Sequence, residues 1–183
     1  MKQIEQTQIT RRRFLQSSAV GAGLATAIPG FTLETHAKEP PSSTDTLTIG
    51  KTGVTVSRIA QGTGANGFNR ESDQTRLGME GFIKQMRHAY DHGIRFFDLA
   101  DLYGSHAYFK NALKEIPREQ IAILTKLWFQ GGGPMPTTST AIPHIERFKQ
   151  EIGTDVLDIV LIHCVTNSRW PEQQKQIREE LSQ

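Results

Sequence analysis

The sequence contains little cysteine and no long hydrophobic run. Its one cysteine, Cys164, excludes an intramolecular disulfide and a cysteine-based metal cluster. Because free cysteine is among the most buried residue types, we predict Cys164 to be a small apolar core residue beside a strand end. No unbroken apolar stretch reaches the ~20 residues that a membrane-spanning helix requires, and the mean hydropathy is −0.43. The composition therefore indicates a soluble mature protein without a stable membrane span.

The body of the chain also has no excess of positive charge. The formal net charge is +2 at pH 7, and the excess lies in residues 1–37, where Lys2 and Arg11–Arg13 outnumber Glu5 and Glu34. The remaining residues hold equal numbers of cationic and anionic side chains. Because a nucleic-acid-binding protein needs a basic surface, we do not expect nucleic acid as a partner.

Residues 1–37 are predicted to be a twin-arginine signal peptide. The segment Thr10–Gln16, T-R-R-R-F-L-Q, has the paired arginine, the variable position and the Phe-Leu pair of that export pattern. An uncharged, weakly apolar stretch follows from Ser17 to Leu33. Small residues near Ala27 and at 35–37 offer cleavage sites, and we favour the second because charge and proline follow at once. The expected partner is the twin-arginine export machinery, and the expected location is the periplasm.

The rest of the chain divides into a short linker and a region of alternating strands and helices. Residues 38–46 are predicted to be a solvated linker because they contain Pro40-Pro41-Ser42-Ser43. From residue 47 to 183, apolar spacing and turn residues predict a regular order of elements. A hairpin of residues 47–49 and 54–56 comes first. Strands are predicted at 57–62, 94–98, 121–127 and 155–163. Helices are predicted around 79–92, 109–116 and 142–152, with a final helix after Pro171.

Strands separated by helices pair in parallel, which indicates an α/β fold. Asp98, Lys126 and His163 each end an otherwise apolar strand. A TIM-type barrel collects catalytic groups from the carboxyl ends of successive strands, whereas an open sheet binds at one switch point. We therefore predict a TIM-type (β/α)8 barrel. Residues 47–183 supply only its first four βα units, and since a complete barrel has eight units and about 250 residues, we expect a truncated half-barrel.

Three strand ends resemble those of the aldo-keto reductase family. Their sequences are F-D-L-A-D-L-Y-G at Phe97–Gly104, L-T-K-L-W at Leu124–Trp128 and L-D-I-V-L-I-H at Leu157–His163. The hairpin turn Gly50–Gly53 and the pair Gly62-Thr63 add to the resemblance, which covers residues 47–183. It implies an NADPH-dependent reductase that acts on a small aldehyde or ketone.

The resemblance also implies a role for each polar residue at the strand ends. Tyr103 would be the general acid, Lys126 and Asp98 its tuning pair, and His163 the group that orients the substrate carbonyl. Reduction by hydride needs a proton donor for the developing alkoxide, and tyrosine has an ordinary pKa of about 10. Because a nearby ammonium favours the phenolate, we expect Lys126 to lower the pKa of Tyr103.

The cofactor site is expected to be incomplete within this sequence. By resemblance, Gly62, Thr63 and Asp98 contact the nicotinamide end of NADPH, while the groups that hold its pyrophosphate and 2′-phosphate lie on later strands. The 183 residues alone are therefore expected to be inactive, unless two copies associate through the open edges of the sheet. The substrate and the preference for NADPH over NADH are not specified by these residues.

Other functions fit the same residues. Lys126 could form a Schiff base as in aldolases, or His163 and Asp98 could bind a metal. The shortage of further His and Asp residues at the strand ends argues against the metal site. An exported, non-catalytic half-barrel could also serve as a binding or assembly module. Asp101 is predicted to be a surface or loop neighbour of the site, and Gly131–Gly133 a flexible rim.

Overall fold

The computed structural model describes residues 40–128, 140–166 and 168–182. The predicted signal peptide and the predicted rim at Gly131–Gly133 lie outside these ranges. Within them, none of the helices combines the length and the apolar character that crossing a bilayer demands.

The described part begins with a β-hairpin. Strand β1 (Thr46–Thr48) pairs antiparallel with β2 (Thr55–Ser57), and Leu47 lies opposite Val56. The connection turns at Gly50 and Gly53, whose φ angles of 53° and 78° are open to glycine without steric cost. The predicted hairpin is confirmed.

Four strands form a parallel sheet in chain order. These strands are β3 (Gln61–Gly62), β4 (Phe96–Asp98), β5 (Ala122–Leu127) and β6 (Ile159–Ile162). Asp98 pairs with Gly62 on one side and Leu124 on the other, and Lys126 pairs with Leu161. Helices connect the strands, so every strand points the same way and their carboxyl ends share one edge. The predicted α/β class is confirmed.

Six helices are described, and their ends follow the sequence signals. They are α1 (Asp73–Arg76), α2 (Gly78–Asp91), α3 (His106–Ala112), α4 (Ile142–Ile152), α5 (Trp170–Gln173) and α6 (Lys175–Leu181). Short 3₁₀ turns cover Asp101–Tyr103 and Arg118–Gln120. Helix α2 ends before His92-Gly93 as predicted, since Gly93 takes a φ of 89°. Pro171 lies in the first turn of α5, where a missing N–H costs little.

The core lies between the helices and one face of the sheet. Alternation along β5 sends Ile123, Thr125 and Leu127 into this core and leaves Leu124 and Lys126 on the opposite, partly exposed face. The largest fully buried apolar side chains are Phe82, Phe97, Phe109, Phe148, Met86, Leu99, Ile116, Ile123, Leu127, Ile152 and Ile177. Each buried side chain of this size stabilises the fold by about 1.5–3 kcal/mol. Strand β5 therefore carries packing residues on one face and Lys126 on the other.

Two strand predictions are wrong in detail. The first inner strand was expected at 57–62, but Ser57 belongs to β2, where it pairs with Thr46, and β3 contains only Gln61–Gly62. The last strand was expected at 155–163, but β6 contains only Ile159–Ile162, and Leu161 within it is 44% exposed. In the described sheet β6 is an edge strand, which pairs with a neighbour on one side only.

Candidate active site

The carboxyl edge of the sheet brings three predicted site residues together. Asp98 is the last residue of β4, Lys126 is the penultimate residue of β5, and His163 directly follows β6. Parallel pairing aligns these positions although they are far apart in the chain. Tyr103 comes from the 3₁₀ turn after β4 and lies beside Lys126 and His163.

Asp98 and Lys126 form an ion pair. The ammonium of Lys126 donates to Oδ1 of Asp98 and, over 3.1 Å, to the carbonyl oxygen of Leu99. The Lys126 side chain is only 13% exposed, and a charge at so sheltered a position is costly unless it has partners of this kind. The pair therefore fixes the ammonium beside Tyr103, with its Nζ 5.0 Å from the centre of the Tyr103 ring.

Two glycines lie directly against the Tyr103 ring. A Cβ on Gly64 would lie 2.4 Å from ring carbons of Tyr103, and one on Gly67 would lie 2.5 Å from them. These distances are too short for any side chain, so the glycine-rich loop after β3 contacts the ring with its backbone.

His163 faces the hydroxyl of Tyr103. Its Nε2 lies 3.4 Å from the Tyr103 Oη, and the two rings meet nearly at right angles with centroids 5.4 Å apart. The Trp128 ring contacts the His163 ring edge-on, with centroids 5.7 Å apart. The Nδ1 of His163 is buried without a hydrogen-bond partner among the described residues.

The electrostatics of Tyr103 differ from the expectation. Burial raises the pKa of Tyr103, and the charges of Asp98 and Cys164 raise it further, so the net shift is opposite to the lowering expected from Lys126. The reason is geometric, since the Lys126 ammonium is bound to Asp98 and lies over the ring instead of beside the hydroxyl. Burial also lowers the pKa of His163, and Lys126 lowers it further against the opposing effect of Asp98. Near pH 7, Tyr103 is protonated and His163 is neutral.

Thr63 and Gly62 differ in what they can offer a ligand. Thr63 is fully buried, and its N–H and its hydroxyl donate to the carbonyl oxygen of Asp98 over 3.0 and 2.9 Å. The Thr63 Oγ1 also lies 2.9 Å from the Ser105 hydroxyl. Gly62 is exposed, and a Cβ there would meet no atom within 4 Å. Thr63 thus anchors the end of β4, whereas Gly62 borders open space beside Asp98.

Asp101 and Cys164 differ in burial from what their sequence positions predicted. Asp101 is buried and its carboxylate accepts two hydrogen bonds from Arg147 of α4, over 2.9 and 2.7 Å, so it is no surface residue. Cys164 is exposed with a φ of 55°, because the chain turns outward directly after His163, so the predicted core position is wrong.

One group of residues has the spacing of a metal site. Asp101, His106 and Glu151 each offer a ligand atom, all within 4.8 Å of one another. Arg147 donates to both carboxylates, however, and His106 is hydrogen-bonded through both ring nitrogens, to Glu151 and to Thr125. These contacts describe an ion-pair network whose ligand atoms already have partners.

The chain is similar to known reductases in sequence and fold. Residues 59–182 match the Aldo/keto reductase family. Probable aldo-keto reductase 1 from Glycine max is 33% identical over 118 residues, which cover 62% of this chain and 33% of that protein. Versiconal hemiacetal acetate reductase from Aspergillus parasiticus is 35% identical over 100 residues, which cover 50% of this chain and 29% of that protein.

The solved structure of Bombyx mori aldo-keto reductase AKR2E4 in complex with NADP has the same fold. The match has a TM-score of 0.57 at 20% identity, and it covers 78% of this chain and 48% of that chain. The present chain therefore spans about a third of the length of the two sequence relatives and about half of that structure.

Proposed function

The chain belongs to the aldo/keto reductase family, and we propose that it supplies the proton-donor side of a site that reduces aldehydes or ketones with NADPH. The observation that carries the proposal is the meeting of Tyr103, His163 and the Asp98–Lys126 pair at one edge of the sheet. Carbonyl reduction needs a proton donor and groups that stabilise the developing alkoxide. These four side chains meet both needs.

Tyr103 is the proton donor in this proposal. Its raised pKa keeps the phenol protonated near neutrality, so the proton is present before reaction begins. His163 is neutral, and its Nε2 beside the Tyr103 hydroxyl marks where a carbonyl oxygen would lie. NADPH would supply the hydride to the carbonyl carbon. The phenol O–H bond then breaks and its proton completes the alcohol.

Lys126 acts on the phenolate that this transfer leaves behind. An ammonium 5.0 Å from the ring centre stabilises negative charge on Tyr103, and the low exposure of Lys126 strengthens that attraction relative to bulk water. Asp98 holds the ammonium in place by accepting its hydrogen bond.

The described residues fit the nicotinamide end of NADPH. Gly62 offers exposed backbone with open space around it, and the Asp98 side chain beside it is 35% exposed. Thr63 contributes indirectly, by fixing the backbone of Asp98. The preference for NADPH over NADH rests on the resemblance of the family, whose solved member AKR2E4 was crystallised with NADP.

We propose that the four described βα units are half of an eight-stranded barrel, since the similar solved structure is about twice as long. Within the described ranges, β6 pairs with a strand on one side only, and an open groove of about 840 Å³ lies between β6 and helices α5 and α6. Further βα units of a longer protein, or a second copy of the chain, would cover this groove. If two copies of the chain pair, light scattering should show a dimer. If the barrel is completed within one longer protein, an immunoblot of the producing cells should show a band of about twice the length of this chain.

We propose that residues 1–37 direct export to the periplasm through the twin-arginine route, on the strength of the T-R-R-R-F-L-Q motif. A reporter fused to residues 1–37 should reach the periplasm. Replacement of Arg11 and Arg12 by lysine should retain it in the cytoplasm, and equal export of both fusions would refute the proposal.

The Schiff-base and metal alternatives have less support. Lys126 is engaged with two oxygen acceptors, so a nucleophilic role would first require that ion pair to break. Borohydride trapping with an aldehyde should therefore leave Lys126 unmodified. Asp98 and His163 do not belong to the group of three potential metal ligands in the described residues.

The reductase proposal is tested by the loss of absorbance at 340 nm when NADPH and an aromatic aldehyde are added to the purified protein at its native assembly size. Aldehyde-dependent NADPH consumption supports the proposal. Adduct formation on Lys126, or an assembled protein that leaves NADPH unchanged, would reject it.

A further inference from the structure

The turn that carries Tyr103 is held by a network of charges outside the four proposed catalytic residues. Asp101 begins this turn and is two residues before Tyr103. Its carboxylate accepts from both terminal nitrogens of Arg147 and lies 3.1 Å from a nitrogen of Arg70. A two-point arginine–carboxylate contact fixes orientation as well as distance. The position of the turn is thereby tied to helix α4.

The network is closed by Glu151, one helical turn after Arg147. Its Oε1 accepts from Arg147 over 2.9 Å and from Arg70 over 3.0 Å, and its Oε2 is 2.9 Å from Nδ1 of His106. Burial alone would raise the pKa of Glu151, but the hydrogen bonds from His106, Arg147 and Arg70 outweigh it and lower the pKa to about 2. The hydrogen bond to Asp101 raises the pKa of Arg147. Glu151 and Arg147 therefore keep their charges across the physiological range.

Arg70 connects this network to the glycine-rich loop on the other side of Tyr103. Phe68 and Glu71 exchange backbone hydrogen bonds across a two-residue turn, in which Asn69 and Arg70 have φ angles of 52° and 62°. A positive φ is uncommon for arginine, so the turn depends on contacts that hold it there.

Arg70 makes such contacts with the Tyr103 turn and with the network. The N–H of Arg70 donates to the carbonyl oxygen of Leu102 over 2.8 Å. Its own carbonyl packs so closely on Gly104 that a Cβ there would lie 1.9 Å from the oxygen. Arg70 thus joins the loop that contacts one face of the Tyr103 ring to the turn that carries the ring.

A buried contact links the same network to the strand of Lys126. His106 is 1% exposed, and its Nε2 lies 2.8 Å from the hydroxyl of Thr125, the residue before Lys126. Helix α4, the Tyr103 turn and strand β5 are therefore joined through one set of hydrogen bonds.

From this connectivity we propose that Asp101 and Arg147 are positioning residues for Tyr103. They fix the turn so that the phenol faces His163 and the ring lies under the Lys126 ammonium. The role in catalysis rests on the proposed reductase function, whereas the positioning of Tyr103 does not.

The test is the ultraviolet titration of tyrosine in the full chain, which contains three tyrosines. Subtraction of the Tyr103→Phe curve isolates the Tyr103 phenol. We expect Arg147→Met to release the turn, expose the phenol and bring its raised pKa down towards the ordinary value of about 10. Loss of the Arg147 charge alone would raise the pKa, so an unchanged or raised Tyr103 pKa in Arg147→Met would overturn the proposal.

The matched control is Arg118→Met. Arg118 also joins two elements through a partly buried ion pair, to Asp158 over 2.6 Å, but at the opposite end of strands β5 and β6. This variant should lose stability and keep the Tyr103 pKa, and an equal pKa change in both variants would show a general loss of structure and overturn the proposal. Asp101→Asn, which keeps side-chain volume, carries the test if Arg147→Met does not fold.

Enzyme kinetics separate the two proposals. If the reductase function is correct, Arg147→Met should lower kcat at least tenfold with little change in the KM for NADPH, and Arg118→Met should leave both near the wild-type values. If the wild-type protein consumes no NADPH but the Tyr103 titration still shifts only in Arg147→Met, the positioning role stands and the reductase function fails.

Discussion

The Oη of Tyr103 lies 3.4 Å from the Nε2 of His163, although 60 residues separate them in the chain. The contact exists because β4 and β6 end at the same edge of a parallel sheet. With the pKa of Tyr103 raised and that of His163 lowered, both groups are neutral near pH 7. A carbonyl oxygen can accept a hydrogen bond from a neutral pair of this kind while the proton to be transferred is still on Tyr103.

Asp98 and Lys126 should move the pKa of Tyr103 in opposite directions. Asp98→Asn removes a negative charge that raises this pKa, so the pKa should fall. Lys126→Met removes a cation and leaves the Asp98 carboxylate without its partner, so the pKa should rise. Titration of the tyrosine absorbance in both variants measures the two shifts. Shifts of the same sign would contradict the assigned geometry.

Gly64 and Gly62 should respond differently to the same change. Gly64→Ala places a Cβ 2.4 Å from the Tyr103 ring, so the ring must move, and we expect a loss of about 1–3 kcal/mol in stability together with a shifted Tyr103 titration. The Cβ of Gly62→Ala would point into open space, so this change should leave the stability and the Tyr103 titration unchanged. Urea unfolding and tyrosine titration of the two variants provide the comparison. A stable Gly64→Ala protein with the wild-type Tyr103 pKa would show that the loop does not confine the ring.

Glu151 should make the fold sensitive to acid. Its pKa in the fold is about 2 against an ordinary value of 4.5, so its carboxylate stabilises the folded state above pH 4.5. This stabilisation disappears as the pH falls towards 2, and after allowance for solvent screening it amounts to about 1–2 kcal/mol. Unfolding free energies from urea titrations at several pH values should fall less steeply for Glu151→Gln than for the wild type over this range. Parallel pH profiles would mean that Glu151 is not the group responsible.

Cys164 should react readily in the native protein. Its thiol is exposed, and it is the one cysteine of the sequence, so a colorimetric thiol reagent reports on this position alone. One thiol per chain should react without denaturant, at a rate close to that in the unfolded chain. A thiol that reacts only after unfolding would instead support the buried position predicted from the sequence.

The sequence predicted the strand ends well because charge at the end of an apolar strand is a strong local signal. Asp98, Lys126 and His163 each stand out against the apolar residues before them. The role of Asp101 could not be predicted in this way, because its partner Arg147 lies 46 residues later and on a different element. The same limit applies to Leu161, since an apolar strand pattern does not reveal whether a neighbour covers the strand.

The most direct test of the central claim is NADPH-dependent reduction of an aromatic aldehyde by the wild-type protein and by Tyr103→Phe, both at the native assembly size. The phenyl ring keeps the packing against Gly64 and Gly67 and removes only the hydroxyl. We predict that the wild type consumes NADPH and that kcat of the variant falls by about 10²–10⁴-fold, with an unchanged KM for NADPH. A Tyr103→Phe protein that reduces the aldehyde as fast as the wild type would contradict the assignment of Tyr103 as the proton donor.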